Sequence, residues 1–164
     1  MGLEKIWARS SEPKETNRQI GPLFRRWLNQ KTLGLPLLSE LEFTATDDNA
    51  ILSGSDAQLK QFATDHLGYT GRKGLDFVAR MRGHYLIGEA KFLTDFGGHQ
   101  NGQFTDGLTL LGQTTAKAIK VAIYDGVLYI TSKSRFFSYL TSHREEYNIL
   151  SSLLLRDFLY SIGS

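Results

Sequence analysis

The chain has 164 residues, 41% hydrophobic and 22% charged, with a formal net charge of +2 at pH 7 and no cysteine. That suits one globular domain over residues 1–164 with length enough for a core. It excludes disulfide scaffolds and thiolate metal sites and points to a reducing cytoplasm. No apolar run is long enough to span a bilayer, the first residues lack the apolar core of a signal peptide, and the mild positive charge is compatible with nucleic acid without indicating it.

Lys14 to Asn29 is predicted to be a helix, because Ile20, Leu23, Phe24, Trp27 and Leu28 recur at helical spacing; Pro22 should interrupt it or delay its start. Leu33 to Leu41 contains Gly34 and Pro36 and is expected to be loop with extended pieces. Phe43 to Gly54 carries a turn at Asp47-Asp48-Asn49 before Ile51-Leu52. Ser55 to His66 follows as a helix capped by Ser55 or Asp56, and Leu67 to Lys73 as a glycine-containing loop. Two strand runs come next, LDFVAR and YLIGEAKF, joined by Met81-Arg82-Gly83-His84, which suits a hairpin. Asp95 to Gln103 opens as a glycine-rich loop, and Asn101 to Ala118 is expected to be helical through Phe104, Leu108, Leu111 and Ala118. Lys120 to Ile130 reads as two strands around Asp125-Gly126, a hairpin turn signal. Arg135 to Leu140 and Glu145 to Ser161 are expected to close the chain as helices. The sum is an α/β fold, a central mixed sheet flanked by helices.

Within the predicted hairpin the pleat fixes which side chains act together, since successive residues of a strand face opposite ways. Tyr85, Ile87, Glu89 and Lys91 share one face, and Ala90 turns to the other. An antiparallel pairing can bring Asp76 beside Glu89. Two close carboxylates repel, and a divalent cation relieves the repulsion; Mg²⁺ takes hard oxygen ligands, commonly one or two carboxylates with water and phosphate oxygens. Lys91 then sits near an attacking water and a charged phosphate. This is the arrangement a metal-dependent phosphodiester-cleaving site needs.

The stretch Gly74 to Phe104, with Asp76 and then Glu89-Ala90-Lys91 on adjacent strands before a helix, resembles the active-site block of type II restriction endonucleases in the PD-(D/E)XK nuclease superfamily. KETNRQIGPLF resembles their first core helix. The residue before the first acid is Leu75 rather than proline, a variation the superfamily tolerates. The resemblance implies a restriction-endonuclease-like core and Mg²⁺-dependent hydrolysis of phosphodiester bonds in double-stranded DNA, with Mn²⁺ able to substitute. It implies that Asp76, Glu89 and the backbone carbonyl of Ala90 hold the metal, and that Lys91 orients or deprotonates the water. It makes Glu15, on the first helix, a candidate additional ligand. The chain is short for an enzyme that both cleaves and reads a sequence, which implies a minimal or missing recognition portion.

Arg72 and Lys73 precede the first acid and are candidates for phosphate contact. Gln100 and Asn101 suit adenine edges or phosphate, His99 a base or ligand role, and Gln103 a position reaching the active site from the first turn of its helix. The competing explanations are ordinary ones: a solvated acid–lysine pair, loop charges, a plain glycine-rich loop. What favours chemistry is that both acids interrupt apolar strands, where an ionised group is unfavourable unless paired or metal-bound. Arg18, Arg25 and Arg26 lie on the first helix, where facing DNA is the alternative and a basic solvated helix face the expectation. Cutting both strands of a palindrome favours a two-fold homodimer. The rival functions are a structure-specific repair or junction-resolving nuclease on the same fold and a non-catalytic DNA-binding module.

Overall fold

The structure is a computed structural model; it describes residues 13–94, 98–114, 116–130, 133–143 and 145–163, of which 13–20 and 98–101 are described by their backbone alone. Helix α1 runs over Pro13–Asn29 with Pro22 inside it, so the proline neither ends the helix nor delays its start. Burial of Phe24 and Leu28 and the edge-on contact of Phe24 with Phe77 hold the helix to the sheet despite the lost backbone hydrogen bond.

Six strands then form one mixed sheet in the order of the chain: β1 (Leu37–Leu38), β2 (Ala50–Leu52), β3 (Phe77–Met81), β4 (His84–Leu93), β5 (Ile119–Gly126) and β6 (Ile149–Leu150). β1 and β2 are parallel, β2–β3 and β3–β4 antiparallel, and β4–β5 and β5–β6 parallel. Between them lie α2 (Glu40–Ala45), α3 (Asp56–Leu67), α4 (Gly98–Leu111), α5 (Arg135–His143) and the closing α6 (Ser152–Ser161).

The β3–β4 hairpin is the expected one. Arg82 and Gly83 turn the chain with φ of 49° and 79°, the two positive values a tight two-residue hairpin requires. Phe77 pairs with Gly88, Val78 with Ile87 and Arg80 with Tyr85. The pleat sends Phe77, Ala79, Leu86 and Ala90 to a core covered by α1 and α6. The opposite face carries Val78 and Ile87 against α2, α3 and α4. Farther along that second face, Tyr124 and Leu93 pack with Phe104 of α4 and Phe136 of α5.

Several sequence expectations are corrected. Leu33–Leu41 contains the expected extended piece, β1, but also the start of α2, which is fixed by a reciprocal cap: Ser39 N–H donates to Glu42 Oε2 at 2.8 Å, and Glu42 N–H to Ser39 Oγ at 3.4 Å. α4 begins at Gly98 and ends at Leu111, well short of Ala118, so His99, Gln100 and Asn101 are helical rather than in a loop. Lys120–Ile130 is not a hairpin; β5 continues through Asp125 and Gly126 and ends in a 3₁₀ turn, Val127–Tyr129. Glu145–Ser161 is not one helix, because β6 adds to the sheet edge before Ser151 caps α6.

Candidate active site

Asp76 is the residue immediately before β3. Its N–H donates to Gly88 O at 3.1 Å, one residue out of step with the Phe77–Gly88 register, so the ladder is disturbed where the acid sits. One carboxylate oxygen, Oδ2, accepts from Ala90 N–H at 2.9 Å. The other faces α1: a Cβ added to Gly21 would lie 3.6 Å from Oδ1. Asp76 is 8% exposed and Glu89 5%.

Glu89 and Lys91 share a face of β4, as the pleat requires. Lys91 Nζ is 2.7 Å from Glu89 Oε1 and 3.7 Å from Asp76 Oδ2, so the three ionic groups converge. Burial pushes both carboxyls above the usual carboxylate range. For Asp76 the opposing influences are the Lys91 charge, the Ala90 N–H and Arg25, while Asp56 adds to the rise. For Glu89 the Lys91 charge and hydrogen bond oppose, while Asp76 and Asp106 add. Burial alone would lower Lys91, but Glu89 and Asp76 outweigh it and hold the ammonium above its ordinary range.

Two buried carboxylates thus share one ammonium, an excess of negative charge that a low-dielectric site disfavours. The donors are hard oxygens. Ala90 N–H reaches Asp76, and in a strand the C=O of a residue points to the same flank as its N–H, so that carbonyl is directed to the same side. Among the described residues no three His, Asp or Glu side chains surround one point. Two carboxylates and a carbonyl are hard oxygen donors of the kind Mg²⁺ takes, with water completing its shell.

Around this centre lie groups that sequence reasoning missed or misplaced. Arg25 is half-buried rather than simply solvated; it pairs with Asp56 at the start of α3, close enough to Asp76 for both charges to act on it. On the other side a cleft of about 400 Å³ is bounded by Tyr69 to Lys73, by Glu89 and, from α4, by Asp106, Thr109, Leu110 and Gln113. Asp106 carries the strongest claim to a role, since its charge acts on both Glu89 and Lys91. Its only signal in the sequence is a position three residues after Gln103, hence on the same helix face.

Of the candidate DNA-contacting residues, Arg72 and Lys73 line this cleft. Lys60 Nζ donates to Arg72 O at 2.8 Å, which ties the segment to α3, and Lys73 pairs with Asp106. Gln103 lies in the second turn of α4, half-buried, and is not among the residues bounding the cleft. The backbone of His99, Gln100 and Asn101 forms the first turn of α4 and that of Glu15 belongs to α1; their side chains lie outside the described residues. Among the described residues no helix is long and apolar enough to cross a membrane.

A family model described as Tsp45I type II restriction enzyme matches residues 1–162 of the chain. No curated protein and no solved structure matches it.

Proposed function

Because the chain belongs to the Tsp45I type II restriction enzyme family and is therefore a site-specific deoxyribonuclease, we propose that Asp76, Glu89 and Lys91 are its catalytic residues and that it requires Mg²⁺, with Mn²⁺ able to substitute. Asp76, Glu89 and the Ala90 carbonyl hold the cation. Glu15 is an additional ligand approached from α1. A bound divalent cation supplies polarisation of water and neutralisation of charge on the phosphoryl group.

The chain's own groups do the rest. The Ala90 N–H fixes the Asp76 carboxylate so that it meets its ligand without rotational loss. Lys91 is held as an ammonium by its two acid neighbours, which favours orienting the water and stabilising charge on phosphorus over acting as a base. Arg72 and Lys73 contact backbone phosphates, while His99, Gln100, Asn101 and Gln103 face the DNA from the start of α4. The domain spans residues 1–164 and works in the cytoplasm.

The observation that carries this reading is the buried pair Asp76 and Glu89 sharing the single Lys91 ammonium. Plasmid DNA incubated in Mg²⁺ is expected to give a defined fragment ladder whose ends share one sequence, and EDTA to abolish it. Cutting that persists in EDTA would refute the metal assignment. We also propose a homodimer, since cutting both strands of a palindrome favours two-fold symmetry and adjacent Leu153 and Leu154 on α6 are large apolar side chains left exposed. Sedimentation velocity is expected to show a dimer, and a monomer at micromolar concentration with intact activity would remove it.

A further inference from the structure

Lys73 and Asp106 form an ion pair at the cleft beside Glu89. The pair bridges the segment that leads into Asp76 to the helix that follows Lys91, so it spans both approaches to the catalytic centre. Its partners are unequally placed: the Lys73 side chain is 60% exposed and that of Asp106 27%. Such an exposed pair contributes little to folding, so exchanging one partner for another anion costs little. A DNA phosphate is such an anion, and Lys73 is the partner it can reach.

The charges of the catalytic centre and the cleft are the Asp76, Glu89 and Asp106 carboxylates against the Lys91 and Lys73 ammonium groups and the Arg72 guanidinium, of which Lys73 is the one paired with Asp106. With Lys73 in place, Asp106 is neutralised locally. With Lys73 drawn to a phosphate, the Asp106 carboxylate loses its ion-pair partner beside Glu89.

We propose that the Lys73–Asp106 pair couples DNA binding to cation affinity at the catalytic centre. In the free protein the pair masks Asp106; on DNA the phosphate takes Lys73, and the unmasked carboxylate makes the Asp76–Glu89 site hold its divalent cation more tightly. Asp106 acts here as a positioning residue, through its field rather than as a ligand. The inference rests on the reading of Asp76 and Glu89 as cation ligands. Coupling of this kind is reciprocal, so the cation must tighten DNA binding by the same factor.

The test is calorimetric titration of the full chain with Ca²⁺, which is expected to bind without supporting turnover, alone and saturated with sheared plasmid DNA. Lys73→Met should tighten Ca²⁺ binding by the DNA-free protein by about 3- to 10-fold, because it unmasks Asp106. Asp106→Asn should leave the DNA-free affinity within about twofold of wild type and cut the DNA-induced gain by about 3- to 10-fold. The double variant should return to the wild-type DNA-free value. A merely structural pair would instead weaken Ca²⁺ binding in both single variants. Unchanged or weaker binding in Lys73→Met, or a full DNA-induced gain in Asp106→Asn, overturns the coupling while leaving the ligand assignment standing. Wild-type protein that takes up no Ca²⁺ in either state overturns the ligand assignment, and the coupling with it.

Discussion

Burial opposes ionisation of Asp76 and Glu89, which sets their proposed catalytic use against stability. Their folded pKa values are raised, chiefly by burial. A raised carboxyl binds its proton more tightly in the folded chain than in the unfolded one. Its stabilising contribution is therefore complete below the unfolded value and is lost as pH rises through the folded value. At neutral pH both acids weaken the cation-free fold. Lys91, also raised, contributes stability that is present at neutral pH and lost only as pH rises through its folded value, above the ordinary lysine range. The expected consequences have opposite signs. Asp76→Asn should abolish cleavage, keep DNA binding and raise the melting temperature of cation-free protein at pH 7, at about 2–4 °C per kcal/mol for a chain of this size. Glu89→Gln should also abolish cleavage while keeping DNA binding. Lys91→Ala should slow the chemical step by orders of magnitude and lower the melting temperature, because it leaves two buried carboxylates unpaired. Calorimetric melting beside single-turnover cleavage checks the set; a lower melting temperature in Asp76→Asn would remove the argument.

At the scale of elements, the seat of α4 on the sheet decides where Asp106 stands. Gly107 makes that seat: a Cβ there would lie 2.1 Å from Tyr124 Oη, and the same hydroxyl donates to Phe104 O. Tyr124 lies opposite Lys91 in the β4–β5 register, so helix, tyrosine and β4 form one packed unit. Gly107→Ala is expected to cost about 1–3 kcal/mol by overpacking and to lower cleavage by shifting α4. Gly102, on the same helix, has open space where its Cβ would go, so Gly102→Ala should stabilise by roughly 0.5–1 kcal/mol. Urea denaturation of the two variants distinguishes them, and equal shifts would show that Tyr124 does not fix the helix.

For the molecule as a whole, a cation that binds only the folded chain must stabilise it. At a concentration 100-fold above its dissociation constant the gain is about 2.7 kcal/mol. Ca²⁺ or Mg²⁺ is thus expected to raise the melting temperature at neutral pH, and the rise should shrink as pH falls and Asp76 and Glu89 take up protons. A shift that is absent at neutral pH, or that survives in Asp76→Asn, would place the cation elsewhere.

The sequence by itself determined the hairpin and the convergence of its ionic groups. Strand alternation is a two-residue period, and Arg82-Gly83 forces a tight turn, so the facing of Asp76, Glu89 and Lys91 is settled within about sixteen residues of chain. Local chemistry also announces α3 through Ser55, and the Ser39–Glu42 cap is an equally local signal for α2. Asp125-Gly126 misled because its turn-forming residues serve other ends. Gly126 lets the backbone pass where a Cβ would meet Leu93 O at 2.0 Å, and the Asp125 carboxylate accepts hydrogen bonds from Ser151 Oγ and Ser152 N–H at the start of α6. Only the tertiary structure decided that Arg25 with Asp56, and Lys73 with Asp106, flank Asp76 and Glu89. Those partners stand some thirty residues apart, on helices and loops whose docking depends on which side chains interlock across the sheet, and no local period encodes that choice.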